Sequence, residues 1–289
     1  MNNTNPSHSF FKFVEPFFIF TILNFILYKR LIYIMCKVIS IHSFRGGTGK
    51  SNVTGNLATI LALCGQRVGI VDTDIQSPGI HILFGLNEEK IGYTLNDYLW
   101  GRCAIEQTAY DITPILKAKQ GNSAIKGSIY LVPSSIKTSE ISRVVREGYD
   151  ARRLNDGLQT LTRRLKLDYL LIDTHPGINE ETLLSMIVSN ILIVILRPDQ
   201  QDYHGTAVAV DVARKLEVPK MLLVVNKALP TLNFQVLREQ VQNAYKTKVA
   251  GVLPVCQEMF HIASSDIFCL RYPFHPWTQE VNAIAKQII

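Results

Sequence analysis

Short, predominantly apolar stretches recur along the chain from Val38 onward: Val38–His42, Val68–Val71, Tyr169–Ile172, Ile191–Leu196, Met221–Val225 and Val249–Leu253. Runs of this kind, short and without polar alternation, read as strands covered on both faces. Between them the apolar positions change to helical spacing. Val53, Leu57, Ile60 and Leu61 mark a helix over Ser51–Cys64 that Gly65 ends, and Glu180–Ser189, Thr206–Leu216 and Val236–Tyr245 predict three more. Strands alternating with helices predict an α/β fold, a doubly wound and mostly parallel sheet with helices on both faces. The pattern is weaker over Asn87–Val144, where Tyr110–Gly127, carrying Pro114 and Gly121, reads as a long connection.

The chain before Val38 is written differently. From Phe10 to Met35 Glu15 is the sole acid, and the apolar run Phe17–Tyr28 is interrupted only by Thr21 and Asn24. That run falls short of the ~20 residues a spanning helix needs, and Lys29 and Arg30 follow it. Lys12 is the only early cation and no small-residue cleavage triplet follows, so a secretory signal does not fit. Met35 stands just before the first strand, which divides the chain into an apolar extension over 1–34 and a single domain over 35–289. Two readings of the extension stand: residues upstream of a mis-assigned start, or a membrane-associating segment.

Composition narrows the class. The 289 residues are 47% hydrophobic and 19% charged, which excludes a disordered or collagen-like chain. Thirty Lys and Arg against 24 Asp and Glu give a net charge of +6, compatible with nucleic acid or an anionic membrane as partner. Cys36, Cys64, Cys103, Cys256 and Cys269 are scattered, with no C-x-x-C pair, which argues against a disulfide framework or a zinc or iron–sulfur site and fits a reducing cytoplasm. The segment Ile141–Lys166, with Arg143, Arg146, Arg152, Arg153, Arg163, Arg164 and Lys166, reads first as solvated helix faces and second as a nucleic-acid patch.

The chemistry gathers after the strands. Gly46-Gly47-Thr48-Gly49-Lys50-Ser51 lies between a strand and a helix, which aims backbone N–H groups and a helix N-terminus at an anion. In such a loop Lys50 reaches the outer phosphates and Ser51 holds Mg²⁺. The strict G-x-x-x-x-G-K-S pattern fails at Phe44. What remains, Arg45 to Ser51, resembles the deviant Walker A loop K-G-G-x-G-K-S/T of the MinD and ParA ATPases, with Arg45 in place of its first Lys. Val71-Asp72-Thr73-Asp74-Ile75 is similar to the family's D-x-D, and Tyr169-Leu-Leu-Ile-Asp173-Thr-His175-Pro-Gly177 to its Walker B strand and second switch.

The resemblance implies a P-loop ATPase domain over 35–289 that binds ATP and Mg²⁺. It places Gly46, Gly47, Thr48, Gly49, Lys50, Ser51 and Asn52 around the nucleotide. Ser51 and, through water, Asp173 would hold Mg²⁺, while Asp74 orients the attacking water or a Mg²⁺-bound water. Arg45 would reach the phosphates of a second subunit in an ATP-dependent homodimer. The catalytic set is then Lys50, Asp74 and Arg45, with His175 a switch residue, since phosphoryl transfer is chiefly positioning and charge neutralisation. Asn226-Lys227-Ala-Leu229 lacks the Asp that reads guanine, which favours adenine read by Asn226, with Pro254 in a second adenine-lining segment.

His42 and His204 read as structural or surface residues. The tail Val281–Ile289 is apolar with Lys286 its only cation, a core-packed or weakly sticky helix in place of a basic membrane anchor. The implied function is slow ATP hydrolysis, stimulated by an unidentified protein activator, that positions cargo, division or partition machinery. It would act in a bacterial-type cytoplasm, at a membrane surface or on non-specific DNA. A nucleotide-dependent maturation factor for cofactors or metal clusters, and a non-hydrolysing ATP-bound adaptor, are the alternatives.

Overall fold

Strand β1 (Lys37–His42) exposes Lys37 and buries every residue after it, as a strand at the centre of a two-sided sheet must. The computed structural model describes residues 36–120 and 126–289. The apolar N-terminal extension and Gly121 lie outside the described residues. Beyond β1 the strands are β2 (Arg67–Asp72), β3 (Tyr110–Asp111), β4 (Ser128–Val132), β5 (Tyr169–Asp173), β6 (Ile191–Leu196), β7 (Lys220–Ala228) and β8 (Val249–Pro254). They form one eight-stranded sheet in the order β3-β4-β2-β5-β1-β6-β7-β8. Every pairing is parallel except that of the short edge strand β3 with β4.

Alternate residues of each strand feed opposite layers. Ile191, Ile193 and Ile195 join the core under helix α1 (Lys50–Leu63), while Leu192, Val194 and Leu196 join the core on the other face. Leu222 and Val224 divide from Leu223 and Val225 in the same way. This period of two carries the doubly wound, helix-covered architecture that the apolar runs predicted.

The middle region is more ordered than the long connection read there. Short helices α2 (Ile80–Leu83) and α3 (Leu95–Leu99) precede β3, and α4 (Thr113–Gln120) follows it. Pro114 is the second residue of α4, where a missing N–H costs nothing because first-turn amides have no intrahelical partner. Next come α5 (Thr138–Glu147), α6 (Ala151–Arg164), α7 (Glu180–Val188) and α8 (Gln200–Lys215), the last starting earlier than its apolar spacing suggested because Asp199 caps it. Helices α9 (Phe234–Tyr245), α10 (Gln257–His261), α11 (Phe268–Arg271) and α12 (Pro276–Ala285) complete the described chain.

The apolar tail belongs to the core. Trp277, Val281, Ile284, Ala285 and Ile288 are all buried in the cluster beneath α1. No helix among the described residues is long and apolar enough to cross a membrane.

Candidate functional site

Parallel register sets the carboxyl ends of β1, β2 and β5 side by side: Asp72 pairs with Asp173, and Asp173 with Ile41. Ligands of such sheets sit beyond these ends, where the order of connection reverses. The chain leaves β1 there through Ser43 to Gly49 and enters α1 at Lys50. Gly47 and Gly49 take left-handed backbone angles, φ 74° and 95°. At Gly49 a Cβ would lie 2.5 Å from Asn226 Nδ2, so glycine is required twice over, by angle and by space.

Lys50 is buried, and its Nζ donates to Ser43 Oγ at 3.3 Å. Asp173 accepts from Thr54 Oγ1 at 3.2 Å and from the Ser51 side chain. Burial pushes the Asp173 carboxyl up to about 6; the charge of Asp74 adds to this, while Ser51, Lys50 and Thr54 oppose it. Asp72, wholly buried, is driven well above the carboxylate range by burial and then by the charges of Asp173 and Asp74. It accepts the backbone N–H of Asp74 at 3.0 Å and of Gly79 at 3.3 Å, which fixes the turn that carries Asp74. His42 is structural, fully buried with Nδ1 2.9 Å from Thr174 Oγ1, and burial followed by the nearby Lys50 lowers its pKa to about 3. Asp173, a buried ammonium and a loop of backbone amides thus gather at one end of the sheet, beside the turn that carries Asp74.

A family model described as ParA: NUBPL iron-transfer P-loop NTPase matches residues 35–289. The chain belongs to this ParA family. It is 24% identical over 263 residues to an ATP-binding protein of Methanocaldococcus jannaschii, covering 90% of each chain. It is 31% identical over 184 residues to an iron–sulfur cluster carrier protein of Clostridium perfringens, 63% of this chain and 60% of that one. The fold is similar to that of the cell division ATPase MinD of Pyrococcus furiosus, with a TM-score of 0.71 and 21% identity over 88% of this chain and 98% of that one.

Other residues singled out by sequence take definite places in this ParA-family chain. Asn226 Nδ2 donates to Thr48 O at 2.7 Å and its Oδ1 accepts Lys227 N–H at 2.9 Å, while Lys227 Nζ donates to Gly47 O at 2.8 Å. Asn226 therefore braces the loop with one of its two N–H groups and one of its two oxygen lone pairs, and the second of each stays available to a ligand. Pro254 ends β8 half-buried, and Asn52 lies half-buried in the first turn of α1.

Arg45 reaches the start of α8, bonding Gln201 Oε1, with Nε 3.7 Å from Asp202 Oδ1. Phe44 packs beside it against Gly205, whose missing side chain leaves the room. Sequence reading missed Ser43, Thr54, Gln201 and Asp202. Thr54 had a signal, since it follows Lys50 by one helical turn.

The Arg-rich segment divides on inspection. Arg143 pairs with Glu147 and covers the Trp100 ring, Arg152 pairs with Asp150, Arg164 with Glu106, and Arg153 stacks on Tyr98. These contacts favour solvated helix faces over a free cationic patch.

Proposed function

We propose that the chain is an ATP-hydrolysing switch of the MinD and ParA type. The observation that carries this reading is the buried Lys50 ammonium, hydrogen-bonded among the described residues only to a neutral hydroxyl at the base of the Gly46–Ser51 loop, with the Asp173 carboxyl nearby. A buried cation calls for an anion, and the triphosphate of ATP supplies one. Thr48 Oγ1 is buried without a hydrogen-bond partner in the same loop, a further polar atom suited to phosphate.

An all-oxygen set, Ser51 with Asp173 and Asp74, suits Mg²⁺. When bound, Mg²⁺ neutralises charge building on the phosphates. Of the chain's own residues, the loop amides of Gly46 to Ser51 hold the phosphate oxygens and Lys50 adds its charge. Asp74 orders the attacking water, and Arg45 serves a second copy of the chain. The role is positional: ATP loading pairs two copies on a surface, and hydrolysis releases them.

Steady-state ATP hydrolysis by the full chain, alone and with double-stranded DNA or anionic liposomes, tests this. Slow basal turnover that one of these surfaces stimulates is the expected result. Tight ATP binding without turnover under any condition overturns it in favour of an ATP-bound adaptor.

The family description and the iron–sulfur carrier relatives favour a second reading, a nucleotide-dependent metal-cluster carrier. The chain's cysteines support it little. Among the described residues one group of metal-capable side chains meets, Cys256, Glu258 and His275. There His275 Nδ1 accepts the Trp277 amide at 3.1 Å, which leaves the ring proton on Nε2, and burial raises the Cys256 thiol. Both effects oppose metal ligation.

A further inference from the structure

The turn after β2 and the loop after β5 are joined by a side-chain hydrogen bond that no part of the scheme above uses. His175 Nδ1 lies 2.7 Å from Asp74 Oδ1, between residues 101 apart in sequence. Both side chains are largely shielded, 19% and 14% exposed. Asp74 Oδ1 also accepts Ser77 N–H at 3.2 Å and Ser77 Oγ–H at 2.9 Å. A carboxylate oxygen has about two lone-pair sites, so Oδ1 is fully engaged. No hydrogen bond reaches Oδ2 among the described residues. Pro176 restricts the backbone of His175 to extended angles, so the ring is aimed by its own chain as well as by its partner.

A carboxylate only accepts, so the imidazole nitrogen facing it carries the proton. We propose that His175 is a positioning residue for Asp74: its Nδ1–H anchors Oδ1 and thereby presents Oδ2 to the attacking water. The inference rests on the reading of Asp74 as the residue that orders that water. It adds a coupling. His175 belongs to the loop that runs on to Gly177, whose N–H donates to Ser43 O at 3.2 Å beside Lys50. Movement of that loop with the state of the nucleotide moves Asp74 with it, so the two switch segments act as one.

Asparagine and glutamine separate this role from packing, because an Asn amide nitrogen falls near the place of Nδ1 and a Gln amide nitrogen near that of Nε2. In the full chain, His175→Ala and His175→Gln are expected to lower kcat roughly 10- to 100-fold, the range for a misplaced reacting group. KM and the ATP dissociation constant stay as in the parent, and His175→Asn restores most of the rate. Imidazole ¹H–¹⁵N correlation spectra of the nucleotide-free protein give an independent readout. The parent shows His175 as the Nδ1–H tautomer, and Asp74→Ala returns it to the Nε2–H form usual in water.

Equal rates for the Asn and Gln variants, or a parent ring with no proton on Nδ1, overturn the proposal. A parent that binds ATP without turnover overturns the hydrolytic reading instead, and the tautomer still decides the clamp.

Discussion

Gly49 and Gly47 sit two residues apart in one loop with similar backbone angles, yet their surroundings differ. A methyl group at Gly49 strikes the Asn226 amide that braces the loop, whereas one at Gly47 meets nothing within 4 Å. Gly47→Ala therefore costs only backbone strain, about 1–2 kcal/mol. Gly49→Ala adds loss of the Asn226–Thr48 bond, about 1 kcal/mol more, and ATP affinity falls further. Urea unfolding and nucleotide titration of the two variants check the order, and equal losses would remove the brace from the account.

Asp173 gives a pH-dependent test at the same scale. With its pKa raised to about 6 in the folded chain, it keeps a proton there at pH values where the unfolded chain has lost one. Its stabilising share is full below the ordinary carboxylate pKa of about 3.9 and is lost as pH rises through 6. Asp173→Asn should gain stability relative to the parent as pH rises from about 4 to about 7, while losing Mg²⁺-dependent ATP binding. A stability difference independent of pH would contradict the burial argument.

The positions of Lys50, Asp74 and Asp173 were legible because each belongs to a short contiguous motif at or just past the end of a strand, and the sheet delivers strand ends to one place. Gln201 and Asp202 were not, since they meet Arg45 only through packing of α8 across 156 residues of chain. The dual engagement of Asn226 was hidden for the same reason.

At the scale of elements, α8 is the support for the start of the phosphate loop. Gly205 lies where a Cβ would come within 2.2–2.9 Å of Phe44, so helix and loop are fitted to each other. Gly205→Ala should overpack this contact at a cost of about 1–3 kcal/mol and push Phe44, and with it Arg45, off the helix. Phe44→Ala in the same chain should relieve part of that cost, so a double-mutant cycle gives a coupling of roughly 0.5 kcal/mol or more. Additive losses would mean that loop and helix are independent. The elements that sequence reading missed have local causes. Pro114 looked like a breaker and is a first-turn residue, and β4 hides among polar neighbours in a region of weak periodicity. Helix α12 was read from its apolar tail alone, and its buried Trp277 and Val281 make it part of the core beneath α1.

For the whole molecule, the place of Arg45 decides how two copies could meet. Bonded to Gln201 and near Asp202, the side chain lies on its own subunit. The ion pair is 3.7 Å long and Arg45 is 41% exposed, so releasing it costs little, on the order of 1 kcal/mol or less. Asp202 keeps Arg197 as a partner at 3.1 Å, so it is not left as an unpaired buried charge when Arg45 departs. The phosphates of a second subunit offer a planar guanidinium a stronger, charge-assisted partner than a neutral amide. Asp74→Ala, which should trap bound ATP, is expected to double the mass in solution with ATP and Mg²⁺ and to stay monomeric with ADP. Adding Arg45→Ala should abolish the dimer, and Gln201→Ala should strengthen it by freeing the arginine. A monomer under both nucleotides, with ATP binding confirmed, would mean that Arg45 serves its own chain on α8 and that this protein works without a partner copy.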